Sequence, residues 1–189
     1  GNLIEGMEIK GTLGKLYAKA DRIDLGKEIA RLNKIDLSDT AITLLINDTT
    51  TNKDTTSTTV GWKLKLDQID LNRVAFAMQM PDDSLRLSTY IDKAGLTDGM
   101  VDLGSARYSA SRFLLSGSSL SYDGSYSDPT PGFDPSHIAL NDVNIRIDSL
   151  LYGGRDISVR IKEFSANDRS GLTLSSLTGD ISSDSTTIQ

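Results

Sequence analysis

The stretch Ser136-His-Ile-Ala-Leu-Asn-Asp-Val-Asn-Ile-Arg-Ile147 decides the fold. Its apolar residues alternate at Ile138 and Leu140, skip two polar positions, and resume their alternation at Val143. Alternation with a period of two is typical of a strand that has one buried face. The skipped pair, Asn141-Asp142, changes the phase of the alternation, and this order of strand, break and strand recurs along the chain.

The recurring pattern predicts a β-repeat array. Its five copies begin at intervals of 34, 32, 37 and 34 residues, at Ile35, Ile69, Val101, Ile138 and Leu172. Tetratricopeptide repeats share the period of 34, but apolar spacing of two and abundant Thr, Ser, Val and Ile favour strands over their helices.

A small or polar pair breaks each copy, and each pair is predicted to be either a β-bulge or a tight hairpin turn. Both structures leave the flanking apolar residues on one face of the sheet. In either case, breaks at one repeating level would curve a long sheet into a trough. The pairs are Ser38-Asp39, Asn72-Arg73, Gly104-Ser105, Asn141-Asp142 and Ser175-Ser176.

Composition favours a sheet with one apolar and one solvated face. Hydrophobic residues make up 38% of the chain and aromatic residues 6%, which is low for a thick closed core. The formal net charge of −6 disfavours nucleic acid as a partner, and the absence of cysteine excludes disulfides. No run of about 18 apolar residues is present, so the sequence predicts no membrane-spanning helix.

We predict a single β-repeat region over residues 1–189, which is a fragment of a larger protein because both ends interrupt strand-like sequence. Two polar segments, 47–60 and 121–136, are predicted to be mobile loops. Gly153-Gly154 is placed as in a tight hairpin. Residues 24–32 are predicted either to continue the strand pattern or to form a short helix.

No residue pattern indicates catalysis or a cofactor. The single histidine, His137, is predicted to lie on the surface, although counting residues does not exclude a Ser-His-Asp arrangement. Asp36, Asp70 and Asp102 occupy matching positions of successive copies and are predicted to form a solvated ladder. A metal ladder is disfavoured, because the Gly-rich runs of calcium-binding repeats are missing.

The chain resembles the long periplasmic region of TamB-family proteins, in the version found in Bacteroides-type bacteria. The resemblance is one of repeat style and covers most of the chain. The segments that carry it are Phe133–Asp148, Gly153–Asp156, Arg169–Asp180, Gly11–Tyr17 and Lys34–Leu37.

The resemblance implies a long open trough of strands, a "β-taco", with an apolar interior. TamB-family proteins are related to AsmA-like proteins and to bridge-like lipid transfer proteins. They are anchored in the inner membrane and extend through the periplasm. They are implicated in moving phospholipid to the outer membrane, and in outer-membrane assembly together with a partner barrel protein. The anchor and the barrel-contacting region are not part of this sequence.

We therefore expect an elongated, curved, mostly antiparallel sheet that forms an open apolar trough for phospholipid acyl chains. We expect neither enzymatic activity nor a cofactor. The alternative is a structural or adhesive β-repeat module with a self-filled sandwich core, and an enzyme on a β-scaffold, such as a glycosidase, ranks third. The predicted lining is Ile35, Leu37, Ile42, Leu44, Ile46, Ile69, Leu71, Val74, Phe76, Met78, Ile138, Leu140, Val143, Ile145, Ile147, Leu172, Leu174 and Leu177.

Overall fold

The computed structural model describes residues 7–47, 61–153 and 156–183. Over these ranges the chain forms a single sheet of 11 strands, one short 3-10 turn (Pro81–Asp83) and no α-helix. The prediction of an all-β, mostly antiparallel sheet is confirmed. The strands are β1 (Met7–Thr12), β2 (Lys15–Asp24), β3 (Ile29–Ile46), β4 (Lys63–Met80), β5 (Leu85–Asp102), β6 (Arg107–Ala110), β7 (Arg112–Asp123), β8 (His137–Gly153), β9 (Asp156–Asp168), β10 (Thr173–Leu174) and β11 (Gly179–Ser183).

Eight long rungs make up the sheet, because three of them consist of two strands placed end to end. β1 and β2 both pair with β3, β6 and β7 both lie between β5 and β8, and β10 and β11 both pair with β9. Rungs 1 to 8 are therefore β1/β2, β3, β4, β5, β6/β7, β8, β9 and β10/β11. The split in rung 5 makes β5, β6, β7 and β8 a small closed circuit of four strands around Ser111.

Neighbouring rungs are antiparallel except for β3 and β4, which are parallel. Ile29 pairs with Lys63 and Leu45 pairs with Gln79, so each residue lies beside the residue 34 positions later. β8 and β9 pair up to Gly153 and Asp156, and Gly154 of the hairpin predicted there lies outside the described residues. The helix alternative for residues 24–32 is wrong, since a turn joins β2 to β3 there.

The long rungs are interrupted at a common level, which we call the first break line. Asp39, Arg73, Gly117 and Asp142 lie in this line with φ of 55°, 51°, 58° and 51°. This left-handed backbone is uncommon for residues other than glycine. In rung 4 the line passes through Asp92, which lies beside Arg73 because Asn72 pairs with Lys93 and Val74 with Ile91. The break pairs of β3, β4 and β8 are therefore bulges within strands.

Two break pairs lie outside strands. Ser175-Ser176 lies between β10 and β11, and Gly104-Ser105 lies in the turn between β5 and β6, next to Ala106 with φ of 49°. The third copy of the sequence pattern therefore spans a hairpin and lacks the strand-bulge-strand structure of the copies that begin at Ile35, Ile69 and Ile138.

A second break line runs parallel to the first and was not recognised in the sequence. It passes through Asn33, Asp67, Asp98, Ser111 and Asp148, each six residues from the first line in its own rung. Asp98 has a φ of 51°, and the Asn33 amide donates to the Asp67 carboxylate at 3.0 Å. The two lines divide rungs 2 to 6 into three segments.

Buried hydroxyl groups satisfy backbone groups that the first break line removes from the ladder. Thr40 and Ser118 are only 3% and 1% exposed. The Thr40 hydroxyl accepts from the Gly14 amide at 3.2 Å, and the Ser118 hydroxyl accepts from the Asp92 amide at 3.3 Å. Each hydroxyl also donates to the carbonyl two residues earlier in its own strand, at 3.1 and 3.0 Å. Buried backbone groups need such partners, because leaving them unpaired is costly.

The loop predicted at 121–136 begins three residues later than expected, because β7 continues to Asp123. Its ends are joined by a hydrogen bond from the Gly124 amide to the Ser136 carbonyl, at 2.8 Å. Of the loop predicted at 47–60, only the first residue lies within the described part of the chain.

Replacing Ser118 with Ala tests the role of the break line. We expect Ser118→Ala to lower the free energy of unfolding by about 1–3 kcal/mol, because the Asp92 amide and the Ser116 carbonyl then both lose the hydroxyl that pairs with them at the break line. The measurement is urea denaturation followed by circular dichroism. Ser88→Ala, on an exposed residue of β5, is the control and should change the unfolding free energy by less than about 0.5 kcal/mol. Equal effects of the two substitutions would contradict this account.

Candidate functional site: an uncovered apolar face

One face of the sheet carries columns of apolar residues that run across all eight rungs. Residues paired in the ladder share a face, so the columns can be followed from one rung to the next. One column is Leu16, Leu37, Leu71, Ala94, Leu115, Ile145, Phe164 and Leu177. The next is Ala18, Ile35, Ile69, Leu96, Phe113, Ile147, Ile161 and Gly179. We call this side of the sheet the apolar face and the other side the polar face.

The apolar face continues across both break lines. The extra residue at each bulge shifts by one position the alternation of side chains between the two faces. Residues three positions apart across a bulge therefore share a face. Gly99 demonstrates this at the second break line, because a Cβ atom built there would lie 2.6 Å from Leu96 Cδ2 and 3.3 Å from Leu66 Cβ. Leu96 therefore lies over Gly99 on the same face as Leu66, and glycine provides the room that it needs.

No second layer buries the large side chains of this face within the described residues. The buried hydrophobic residues are all small or medium-sized, namely Ala30, Val74, Ala94, Ala110, Val143 and Ala166. The largest side chain that is fully buried is that of Ser118. The Leu, Ile, Phe and Met side chains are half-buried or exposed. A core formed by two packed sheets buries such residues from both sides.

The predicted lining residues that lie in strands all fall on the apolar face. Val74 and Val143 sit beneath the first break line and are only 6% and 4% exposed, so they support the face more than they line it. Leu172 lies in the turn before β10, and its carbonyl accepts from the Asp168 amide at 2.8 Å. Leu174 pairs with Ala166 at the outer rung.

Ile145 lies at a different level of the apolar face from Ile42 and Phe76. β8 runs antiparallel to β3 and β4, so the order of its residues is reversed. Ile145 therefore lies in the column of Leu37 and Leu71, in the segment between the two break lines.

Sequence reasoning missed most of the lining contributed by rungs 4 and 5. There the apolar alternation is diluted by Thr89, Ala94, Gly99 and Ser118, which lie on the same face. Residues three positions apart across a break share a face. Applying this spacing to rungs 4 and 5, read in the direction opposite to β4, would have identified their lining residues. The missed residues include Leu87, Leu96, Phe113, Leu115 and Leu120.

The polar face carries the charges. Ion pairs connect neighbouring rungs there, including Arg73 with Asp39 at 2.7 Å and Lys63 with Asp102 at 3.3 Å. The predicted carboxylate ladder is shorter than expected, because Asp36 and Asp70 are paired neighbours while Asp102 lies near the opposite end of its rung. In the described part of the chain, no group of three or more potential ligands is arranged to hold a metal ion.

Two surface hollows lie in the sheet. One, of about 310 Å³, is lined by small side chains that include Ala41 and Ala75, and also by Ile42 and Phe76. The other, of about 400 Å³, is bordered by Lys93 and Arg146, and also by Leu115 and Ile145 of the first apolar column.

The prediction of a surface position for His137 is wrong. The side chain is 4% exposed, because the loop before β8 folds over it. Its Nδ1 lies 3.0 Å from Asp134 Oδ2 and its Nε2 lies 3.3 Å from the backbone carbonyl of Ser125. Both ring nitrogens therefore face acceptors other than a serine hydroxyl, and His137 forms no Ser-His-Asp triad in this structure. It serves to fix the loop.

No protein-family model matches this chain, and no curated protein matches it. In the part of the chain that the structure describes, no helix has the length and apolar character needed to cross a membrane. The resemblance to TamB-family proteins therefore stays a prediction.

The loop before β8 should depend on the ionised form of Asp134. Amides of Thr130 and Ser136 donate to its carboxylate at 2.9 Å each and hold its pKa well below the ordinary value. A carboxyl group with a lowered pKa stabilises the folded form above its unfolded value of about 3.9, and this contribution is lost as pH falls through the folded value.

We therefore expect Asp134→Asn at pH 7 to lower the hydrogen-exchange protection of the Thr130 and Ser136 amides, measured by NMR. Wild-type protein should keep this protection down to about pH 4 and lose it at lower pH. Asp128→Asn in the same loop is the control. Unchanged protection in Asp134→Asn would show that the carboxylate does not hold the loop.

Proposed function

We propose that this chain is a periplasmic segment of a TamB/AsmA-like protein whose apolar face carries phospholipid acyl chains between the inner and outer membranes. The observation that carries the proposal is the set of apolar columns that cross all eight rungs without a covering layer in the described residues. An apolar surface of this extent is unusual on a soluble domain unless it binds something.

The two break lines support an open trough as the shape of the site. They lie six residues apart in rungs 2 to 6, which corresponds to about 20 Å of strand. Bulges bend a strand and increase its twist. Bends toward the apolar face at both lines would give the sheet a floor and two walls of similar width, with the apolar columns running along the axis of the trough.

The chemistry of the face suits acyl chains. Each buried CH₂ group contributes about 0.8 kcal/mol, and this attraction has no preferred direction. The two columns described above contain no charged residue, so nothing in them would hold one headgroup at one place. Chains can therefore move from rung to rung at similar free energy. The protein would act as a passive path, and any driving energy would come from elsewhere.

The remaining parts of the proposal rest on the resemblance alone. They are an anchor in the inner membrane, a periplasmic location, support of outer-membrane assembly, and contact with a barrel-assembly protein. The proposed chemistry needs neither a catalytic group nor a cofactor.

The second candidate is a structural or adhesive β-repeat module with a self-filled core. The regular rungs and the surface ion pairs suit such a spacer. Against it, a self-filled core would bury large apolar side chains, whereas the described part of the chain buries no hydrophobic side chain larger than that of valine. The geometry therefore favours the lipid path.

A charge on the apolar face separates the two candidates. We expect Met78→Glu and Ile145→Asp to leave the protein folded, because the open side of the face is accessible to water. Met78→Glu should also abolish crosslinking of phospholipid to a photoreactive residue at Leu44, and Ile145→Asp should abolish it at Leu115, because these are their ladder partners in the same columns and a charge in the path is costly to desolvate.

Gln79→Glu is the matched control, since it places the same carboxylate one residue from Met78 on the exposed polar face. It should leave crosslinking unchanged. If Met78→Glu unfolds the protein, the face is filled by protein and the self-filled module is correct. Wild-type protein that never crosslinks to lipid would also reject the lipid path.

A further inference from the structure

The aromatic side chains of the apolar face are sorted by their distance from the ends of the rungs. In the described part of the chain, three phenylalanines lie at least four residues from either end of their rungs, and three tyrosines lie one residue from an end. The phenylalanines are Phe76, Phe113 and Phe164, and the tyrosines are Tyr108, Tyr122 and Tyr152. Rings without a polar atom are therefore central, and rings with a hydroxyl group lie at the ends.

Tyr108 and Tyr152 form what we call the tyrosine end of the apolar face. Their pairing continues a row of the ladder that runs through Val101 to Leu64. Leu64 lies two residues from Leu66 and therefore on the same face. The two tyrosine rings stack with centroids 5.9 Å apart, and Tyr152 is 47% exposed. Neither hydroxyl has a hydrogen-bond partner among the described residues, so both are available to a ligand.

The only tryptophan of the chain lies at the same end. Trp62 continues rung 3 beyond β4, since the Leu103 amide donates to its carbonyl at 2.9 Å. It precedes Leu64 by two residues, so its ring also lies on the apolar face. One indole and two phenol rings therefore border this end of the face.

The opposite end of the face is aliphatic apart from Tyr122. One row there consists of Ile9, Leu44, Met78, Leu87, Tyr122 and Ile138. The Tyr122 hydroxyl lies over Gly124, where an added Cβ atom would be 2.5 Å from it. The opposite end therefore offers less hydrogen-bonding capacity than the tyrosine end.

The charges at the two ends differ as well. At the tyrosine end Arg107 forms an ion pair with Asp156 at 3.7 Å, and Lys63 forms one with Asp102 at 3.3 Å, so both signs are present. The turn that follows β4 at the opposite end contains Asp82 and Asp83. Arg86, which begins that end of rung 4, is held over the ring of Tyr126 at 4.8 Å. A phosphate group is therefore less favoured at the opposite end.

We propose that phospholipids lie on the apolar face with their headgroups at the tyrosine end, where the Tyr108 and Tyr152 hydroxyls donate hydrogen bonds to phosphate or ester oxygens. This inference rests on the proposed function and adds an orientation to it. Tyrosine and tryptophan favour the boundary between an apolar medium and water, because each ring has an apolar body and a polar tip. In membranes both residues lie at the level of the headgroups. The acyl chains would extend from Leu64 and Val101 toward the middle of the face.

Quenching of Trp62 fluorescence tests this orientation in the wild-type protein. The probes are phosphatidylcholines brominated either near the headgroup or near the end of the acyl chain, because bromine quenches tryptophan at short range. Bromine near the headgroup should quench Trp62 about two-fold more strongly, or better, since this ring lies at headgroup level. Trp62→Phe/Met78→Trp moves the only tryptophan to the opposite end, and the order of the two lipids should then reverse.

Removing two hydroxyls tests the role of the tyrosines. Tyr108→Phe/Tyr152→Phe keeps both rings and should abolish most of the difference between the two lipids at Trp62. Tyr17→Phe/Tyr90→Phe is the matched control and should leave the difference unchanged, because these tyrosines lie on the polar face, where they pair with Asp36 and Ala75. Circular dichroism checks that the variants fold, and the wild-type comparison stands without them.

Three outcomes would overturn the orientation while leaving the lipid path intact, because lipid is bound in each of them. Bromine near the chain end quenches Trp62 as strongly as bromine near the headgroup, bromine near the headgroup also prevails in the Met78→Trp variant, or Tyr108→Phe/Tyr152→Phe keeps the full difference. Quenching by neither lipid at either end, together with absent crosslinking, would reject the lipid path itself.

Discussion

The structure depends on an exchange of hydrogen bonds along the first break line. A long sheet with the same bulge in rung after rung loses ladder bonds in each of them, and buried backbone groups cannot be left unpaired. Thr40 and Ser118 restore partners to Gly14 and Asp92 from buried positions. Side chains at this level must also be small, because a large residue would hold neighbouring rungs too far apart to form these hydrogen bonds. The most buried level of the protein is therefore made of hydroxyl and small aliphatic residues.

This arrangement explains why the fold can have an extensive apolar face and almost no conventional core. Stability comes from the ladder between long rungs, from half-burial of apolar side chains against their neighbours in the same sheet, and from the buried break line. Each contribution acts between adjacent rungs. Such a protein resembles a solenoid in its energetics, since each unit is stabilised mainly by the units on either side of it.

The strand pattern and the first break line were accessible from the sequence because they depend on local alternation. Ile35 and Ile69 begin neighbouring copies and lie side by side in the structure, so the 34-residue interval is the actual offset between two parallel rungs. The alternation could not decide between a hairpin turn and a bulge at Gly104-Ser105, because both leave the same signature in a sequence, and the structure has the turn. The burial of His137 was not accessible, since it depends on a loop that folds back over the strand. The alternation also carries no information on strand direction, so the level of Ile145 along the face could not be predicted.

The parallel joint between β3 and β4 has a consequence for the order of folding. Every other pair of neighbouring rungs is antiparallel and adjacent in sequence, so it can zip from a turn with little loop-closure entropy at each step. Each pairing between β3 and β4 instead joins residues 34 positions apart. The whole loop-closure entropy must therefore be lost before the first hydrogen bond between these strands can form. We expect rungs 1 and 2, and rungs 3 to 8, to form as two separate meanders. Their docking would then be the slow step, as is typical of pairings between distant parts of a chain.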